Sequence, residues 1–243
     1  MFEPSSIDAV VFDIGGVFLV PHPAPVREVL APVGLALLDD DAFHRAHYRG
    51  VHAVAALHID ETDPAFWTRY IEVYLDEIGV GADHVAACLA AWPMLHERPV
   101  HETWRWVQQH NVDALARFVA AAMPLAIVSN NDGTAPEQMH DFGVCQVGPG
   151  PFVSVVIIID SASVGVAKPD PIIFRPALEA LGTAAARTLY VGDTVHADVK
   201  GARAAGMPVV QIDPYDYHAG FDHARVPHLD ALADLLFAPF PNV

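Results

Sequence analysis

Asp13 ends the apolar run 7–12 and opens the segment Asp13-Ile14-Gly15-Gly16-Val17. A carboxylate released from the tip of a buried strand into a glycine loop is desolvated, fixed in aim and open to a ligand at backbone distance, which is how a nucleophilic carboxylate is best presented. Taken alone, such a segment reads more readily as a strand end or a turn cap. Three more segments have chemical character: Ser129-Asn130-Asn131, Lys168-Pro169-Asp170-Pro171, and Gly192-Asp193-Thr194-Val195-His196-Ala197-Asp198. Lys168 is one of two lysines in a chain that otherwise uses arginine. Its compact ammonium could neutralise a phosphate or hold Asp13 ionised, or it could be a surface cation ahead of a proline turn. Asp193 and Asp198 with Asp13 would make an oxygen-rich site suited to a hard octahedral cation, which points to magnesium; without a cation their repulsion is costly. The lesser alternative for Asp198 is an exposed first-turn acid favoured by the helix dipole. The Ser129 hydroxyl, with the amides from Asn130 onward, could hold a phosphoryl oxygen, although serine and asparagine are also common turn residues.

Parallel strands would position these groups. Besides 7–12, the apolar segments 125–128, 153–159, 188–191 and 208–212 read as buried parallel strands, each followed by helical periodicity. The expected fold is α/β, a doubly wound parallel sheet. Asp170-Pro171 supplies an N-cap and a first-turn proline, Gly182 closes that helix, and Gly206 closes the helix beginning near Ala197. The chemical groups all follow strand ends, which share one edge of a parallel sheet and so can converge. Residues 20–99 change pattern, with amphipathic stretches at 41–57, 63–79 and 82–92. We read 1–19 and 100–243 as the core and 20–99 as a helical insertion above the ligand-binding edge.

Composition narrows the partners. The 243 residues carry 30 acidic and 13 basic side chains, a formal net charge of −17, so nucleic acid and anionic membranes are poor partners. An anionic substrate would need local neutralisation. The N-terminus has no basic region before an apolar run, and no run is long enough to span a bilayer, so a cytoplasmic protein is expected. Cys88 and Cys145 are too few for a disulfide framework or a zinc site.

Together these segments resemble the haloacid dehalogenase-like hydrolase superfamily over nearly the whole chain. The carriers are the Asp13 loop, Ser129, Lys168 in Gly165-Val166-Ala167-Lys168-Pro169-Asp170-Pro171, and Gly192-Asp193 with Asp198, followed by Gly201-Ala202-Arg203-Ala204-Ala205-Gly206-Met207. The resemblance implies a Rossmann-like core and an α-helical cap inserted after the first motif. It implies that Asp13 attacks phosphorus to give an aspartyl-phosphate, with Ser129, Asn130 and Lys168 binding phosphoryl oxygens. Asp13, the backbone carbonyl of Gly15 and Asp193 would hold Mg2+, with Asp198 supporting the metal or Lys168. The expected activity is Mg-dependent hydrolysis of a small phosphorylated metabolite.

The departure is Gly15, where such phosphatases usually carry a second aspartate as general acid and base; its loss typically costs orders of magnitude in rate. One reading is a phosphatase for substrates that need little protonation help, such as anomeric sugar, acyl or aryl phosphates, or one whose acid comes from elsewhere, His22 being a candidate. Another is a weak or inactive phosphometabolite-binding protein. A 2-haloacid dehalogenase is the lesser alternative, since that subgroup resembles Asp-x-Tyr-Gly-Thr in the first loop and has asparagine at the position of Asp193. Elsewhere, His44, His47 and His52 read as a solvated helix face. Phe66, Trp67, Tyr70 and Tyr74 read chiefly as packing.

Overall fold

The computed structural model describes residues 3–33, 39–55, 57 and 63–237. Among them the strands are β1 (Ala9–Phe12), β2 (Leu19–Pro21), β3 (Trp104–Val107), β4 (Leu125–Ser129), β5 (Cys145–Val147), β6 (Val153–Val155), β7 (Ile158–Asp160), β8 (Thr188–Gly192), β9 (Val209–Ile212) and β10 (Ala224–Val226). Six of them form one parallel sheet in the order β10-β9-β8-β1-β4-β7. The central strands are continuously apolar because helices cover both faces, and every residue of β1, β4, β8 and β9 is buried. Phe12, Phe18 and Phe118 fill one side of the sheet, while Tyr190, Phe174 and Val11 fill the other. Crossovers from β1 run to β4 and β7 on one flank, and the chain then returns to place β8 on the other. The switch in direction therefore lies at β1, where open α/β sheets form their ligand crevice.

Between β2 and β3 the longer described elements are helices: α1 (Pro23–Leu30), α2 (Asp40–Ala55), α3 (Pro64–Glu77) and α4 (Ala82–Ala91). Their apolar faces make a separate core around Phe43, Tyr70, Tyr74, Leu75 and Cys88. The Asp63 side chain accepts from the Ala65 amide at the start of α3, with Pro64 in the first turn. Antiparallel β2 and β3 form the stem by which the chain leaves and rejoins the sheet.

Several elements differ from the sequence expectation, which did not include the short strands β2, β3 and β5. The 153–159 run divides, β6 pairing with β5 in a small separate sheet and β7 closing the edge of the main one. An unbroken apolar run carries no periodicity to mark where it changes sheet. Helix α1 was not expected, because Pro23 and Pro25 obscure it; both lie in its first turn, where proline is tolerated. Strand β10 is three residues at the sheet edge and too short to signal itself. The helix 41–57 corresponds to α2, and its last expected turn includes residue 56, which lies outside the described residues. No helix among the described residues is long and apolar enough to cross a membrane.

Candidate functional site

Asp13, Ser129 and Asp193 stand at the ends of β1, β4 and β8 respectively, adjacent strands of the sheet, and all three are buried. Lys168 reaches them from the loop beyond β7. Its Nζ lies 2.8 Å from Asp13 Oδ2 and 2.8 Å from Asp198 Oδ1, and donates to Tyr190 Oη at 2.9 Å. Tyr190 in turn donates to Val128 O or to Asp198 Oδ1, at 3.1 and 3.0 Å. The other Asp198 oxygen accepts from the amides of Asp193 and Thr194 and from Thr194 Oγ1. Carboxylate oxygens of Asp13, Asp193 and Asp198 lie within 4.8 Å of one another. Three carboxylates at that spacing, with no nitrogen or sulfur donor among them, fit a hard divalent cation.

Two glycines permit this crowding. A Cβ on Gly16, whose φ is +63°, would stand 2.1 Å from Asp193 Cγ, and one on Gly192 would stand 2.3 Å from Asp198 Cγ. Asn130 clamps the lysine loop: its Oδ1 accepts from Lys168 N at 2.8 Å and its Nδ2 donates to Lys168 O at 3.1 Å. With its side chain so engaged, a phosphate contact from this position falls to its backbone. Gly15 is bridged to Leu19 in the turn after Asp13.

Burial sets the charges. It pushes the carboxyl of Asp13 up against the pull of Lys168, with Asp198 and Asp193 adding to the rise. Burial and Asp198 push Asp193 up as well. For Asp198 burial also raises, but the ammonium of Lys168 and the Thr194 donors outweigh it, leaving this carboxyl below its usual range. Burial alone would depress Lys168; the two carboxylates reverse that and hold it above the ordinary lysine value. A firmly charged lysine beside an ionised Asp198 thus supplies a fixed positive centre next to Asp13.

Several residues of the site were not singled out in the sequence. Tyr190 joins Lys168 to Asp198, and Gln211 donates to Asp193 O at 2.6 Å. Trp104, on the stem strand β3, lies against the nucleophile loop: a Cβ on Gly15 would meet its Cζ3 at 3.1 Å. Asp160, at the end of β7, is a fourth buried carboxylate on this edge, but it accepts from the amides of Gly133, Ala135 and Ala162 and so caps local turns. The expectation of a solvated histidine face is overturned. His47 is 1% exposed, with Nδ1 bonded to Tyr70 Oη and Nε2 3.3 Å from Asp193 Oδ2. Burial drives its pKa down to about 3, so this contact is a neutral imidazole beside a carboxyl, not an ion pair. His44 bonds Tyr215 Oη and Gln108 Oε1 across the same interface. The reason is that α2 packs its histidine side onto the sheet edge, a long-range contact that helical spacing does not reveal. His22 caps α1, its Nδ1 accepting from Ala24 N, and its pKa is lowered by burial.

Residues 7–206 match haloacid dehalogenase-like hydrolase. A phosphoglycolate phosphatase of Thiobacillus denitrificans is 30% identical over 66% of this chain and 59% of its own length. A second, from Rhodospirillum rubrum, is 26% identical over 93% of this chain and 85% of its own. The chain thus spans less than two thirds of the first of these relatives. Among solved structures, a HAD-hydrolase of Bacillus subtilis bound to magnesium superposes with a TM-score of 0.58 at 20% identity, covering 95% of this chain and 98% of its own; at that identity the likeness is one of fold. The six-stranded parallel sheet, the clustered carboxylates with their lysine, and the family match over most of the chain agree: this protein belongs to the haloacid dehalogenase-like hydrolases.

Proposed function

We propose that this protein is a magnesium-dependent phosphatase of a small phosphorylated metabolite, with residues 20–99 acting as a cap over the site formed by 1–19 and 100–243. The observation that carries the reading is Lys168 Nζ, 2.8 Å from both Asp13 and Asp198, beside an all-carboxylate cluster. Asp13 attacks phosphorus, the bond to the leaving oxygen breaks, and water then hydrolyses the aspartyl-phosphate to restore Asp13. Lys168 and Ser129 hold the phosphoryl oxygens, with the backbone at Asn130, and Tyr190 and Asp198 hold Lys168 in place. Asp13, Asp193 and the Gly15 carbonyl would hold Mg2+, with Asp198 at its margin. The cation supplies charge neutralisation of the phosphoryl group. Phosphatase-named relatives support this class of substrate.

A panel of phosphomonoesters assayed with Mg2+ and with chelator tests the proposal. Hydrolysis should require the cation, and Asp13→Asn should abolish it; activity surviving in that variant would remove Asp13 as nucleophile. Gly15 favours a second reading, a protein that binds phosphometabolites with little turnover. Tight binding of a phosphate mimic without hydrolysis of any ester would select it.

A further inference from the structure

The three clustered carboxylates are not held alike. Asp13 accepts from the Ile14 amide and faces Lys168, and Asp198 is held by Lys168, Tyr190 and the Thr194 donors, all of them outside the helical segment. Asp193 is instead met from within that segment: His47 of α2 turns its Nε2 on Asp193 Oδ2 at 3.3 Å. That nitrogen is buried and completes no regular hydrogen bond among the described residues. The aim of the ring is fixed by its surroundings. Nδ1 lies 3.0 Å from Tyr70 Oη on α3, and the rings of Tyr48 and Trp104 stand edge-on to the imidazole at centroid distances of 4.9 and 5.2 Å. Trp104 also meets the Cβ site of Gly15 and lines a cavity of about 60 Å³, whose described lining residues include no Asp, Glu, Lys or Arg. That cavity has no charged ligand to offer a cation, whereas His47 touches one of the carboxylates that would hold it.

We infer that His47 is a positioning residue for the cation site: its Nε2–H holds Asp193 in the orientation that binds Mg2+, so that cation affinity depends on the seating of α2. The inference rests on the proposed phosphatase reading, in which Asp193 is a ligand. A neutral imidazole carries one N–H, and the hydrogen bond at the other nitrogen selects which. With Tyr70 Oη donating to Nδ1, the proton stands on Nε2, where a carboxylate can accept it. A donor on one oxygen fixes the plane of the carboxylate, keeps its charge, and leaves the second oxygen for a cation. Partners that hold a metal's ligands in this way typically set its affinity by about tenfold to a hundredfold.

Calorimetric titration of the full chain with Mg2+ tests the inference. His47→Leu and His47→Gln both remove the ring nitrogen that meets Tyr70, and only the glutamine keeps an N–H able to reach Asp193. His47→Leu should therefore weaken Mg2+ binding by about tenfold to a hundredfold, and His47→Gln should return most of the loss. Equal affinities in the two variants would overturn the inference. A second arm needs no variant: nitrogen NMR of the histidine rings in the wild-type chain with Mg2+ should show His47 protonated at Nε2, and a bare Nε2 would overturn the inference as well. Mg2+ binding abolished by Asp193→Asn but unchanged by His47→Leu would remove His47 from this role and leave the phosphatase reading intact. A wild-type chain that binds no Mg2+ would overturn the cation reading of Asp193, and His47 with it.

Discussion

Position 15 shows how one residue can set the demands on a whole reaction. A side chain there would have to pass Trp104, whose ring stands 3.1 Å from the Cβ site, so Gly15→Asp alone meets a neighbour that must move. The double variant Gly15→Asp, Trp104→Ala makes that room. It should raise turnover of alkyl phosphates roughly a hundredfold, within the range a positioned general acid supplies. An unchanged alkyl rate in steady-state assays would mean that the missing acid is not what limits the protein. Asp13, Lys168, Asp193 and Asp198 were legible as a group because each follows a strand, and parallel strand ends meet by construction. Trp104 and His47 were not, because their place beside the site depends on how the stem and α2 pack.

At the scale of elements, α2 is held on the sheet edge by a short series of contacts. Tyr48 Oη donates to Gly16 O at 2.8 Å, in the loop that carries the nucleophile. Tyr48→Phe removes a buried donor and leaves that carbonyl short of a partner, which should cost about 1–3 kcal/mol. Urea unfolding checks the amount, and amide exchange should show faster opening of α2. The loop after β9 is ordered by Asp213, which accepts from the amides of Tyr217 and His218 at 3.0 and 2.8 Å. Burial raises its carboxyl, but those bonds and the nearby His218 more than offset it, so its pKa in the folded chain is depressed. A depressed carboxyl stabilises above its unfolded value of about 3.9 and loses that contribution as pH falls through the folded value. The stability gap between wild type and Asp213→Asn, read from urea midpoints, should therefore be full at neutral pH and shrink below about pH 4. The helices of residues 20–99 were legible where caps were strong, as at Asp63-Pro64, and hidden where prolines open the helix, as in α1.

At the scale of the molecule, the excess of acidic charge and the buried carboxylate cluster make a cation part of the stability balance. Mg2+ binding to the folded chain alone should stabilise it by about 2.7 kcal/mol at a hundred times its Kd. Thermal unfolding with and without Mg2+ should show the rise, and Asp193→Asn should remove most of it; an equal shift in both proteins would place the cation elsewhere. The sequence by itself determined the α/β class, the parallel strands that bring the chemistry to one edge, and the identities of the lysine and the carboxylates, because buried strands and strand-end motifs are local patterns. Only the tertiary structure decided that Asn130 clamps the lysine loop, that His47 of α2 is buried against Asp193, and that Trp104 stands between Gly15 and an uncharged cavity. Those outcomes come from contacts between residues distant in the chain, set by how helices pack on the sheet edge, and no local spacing encodes them.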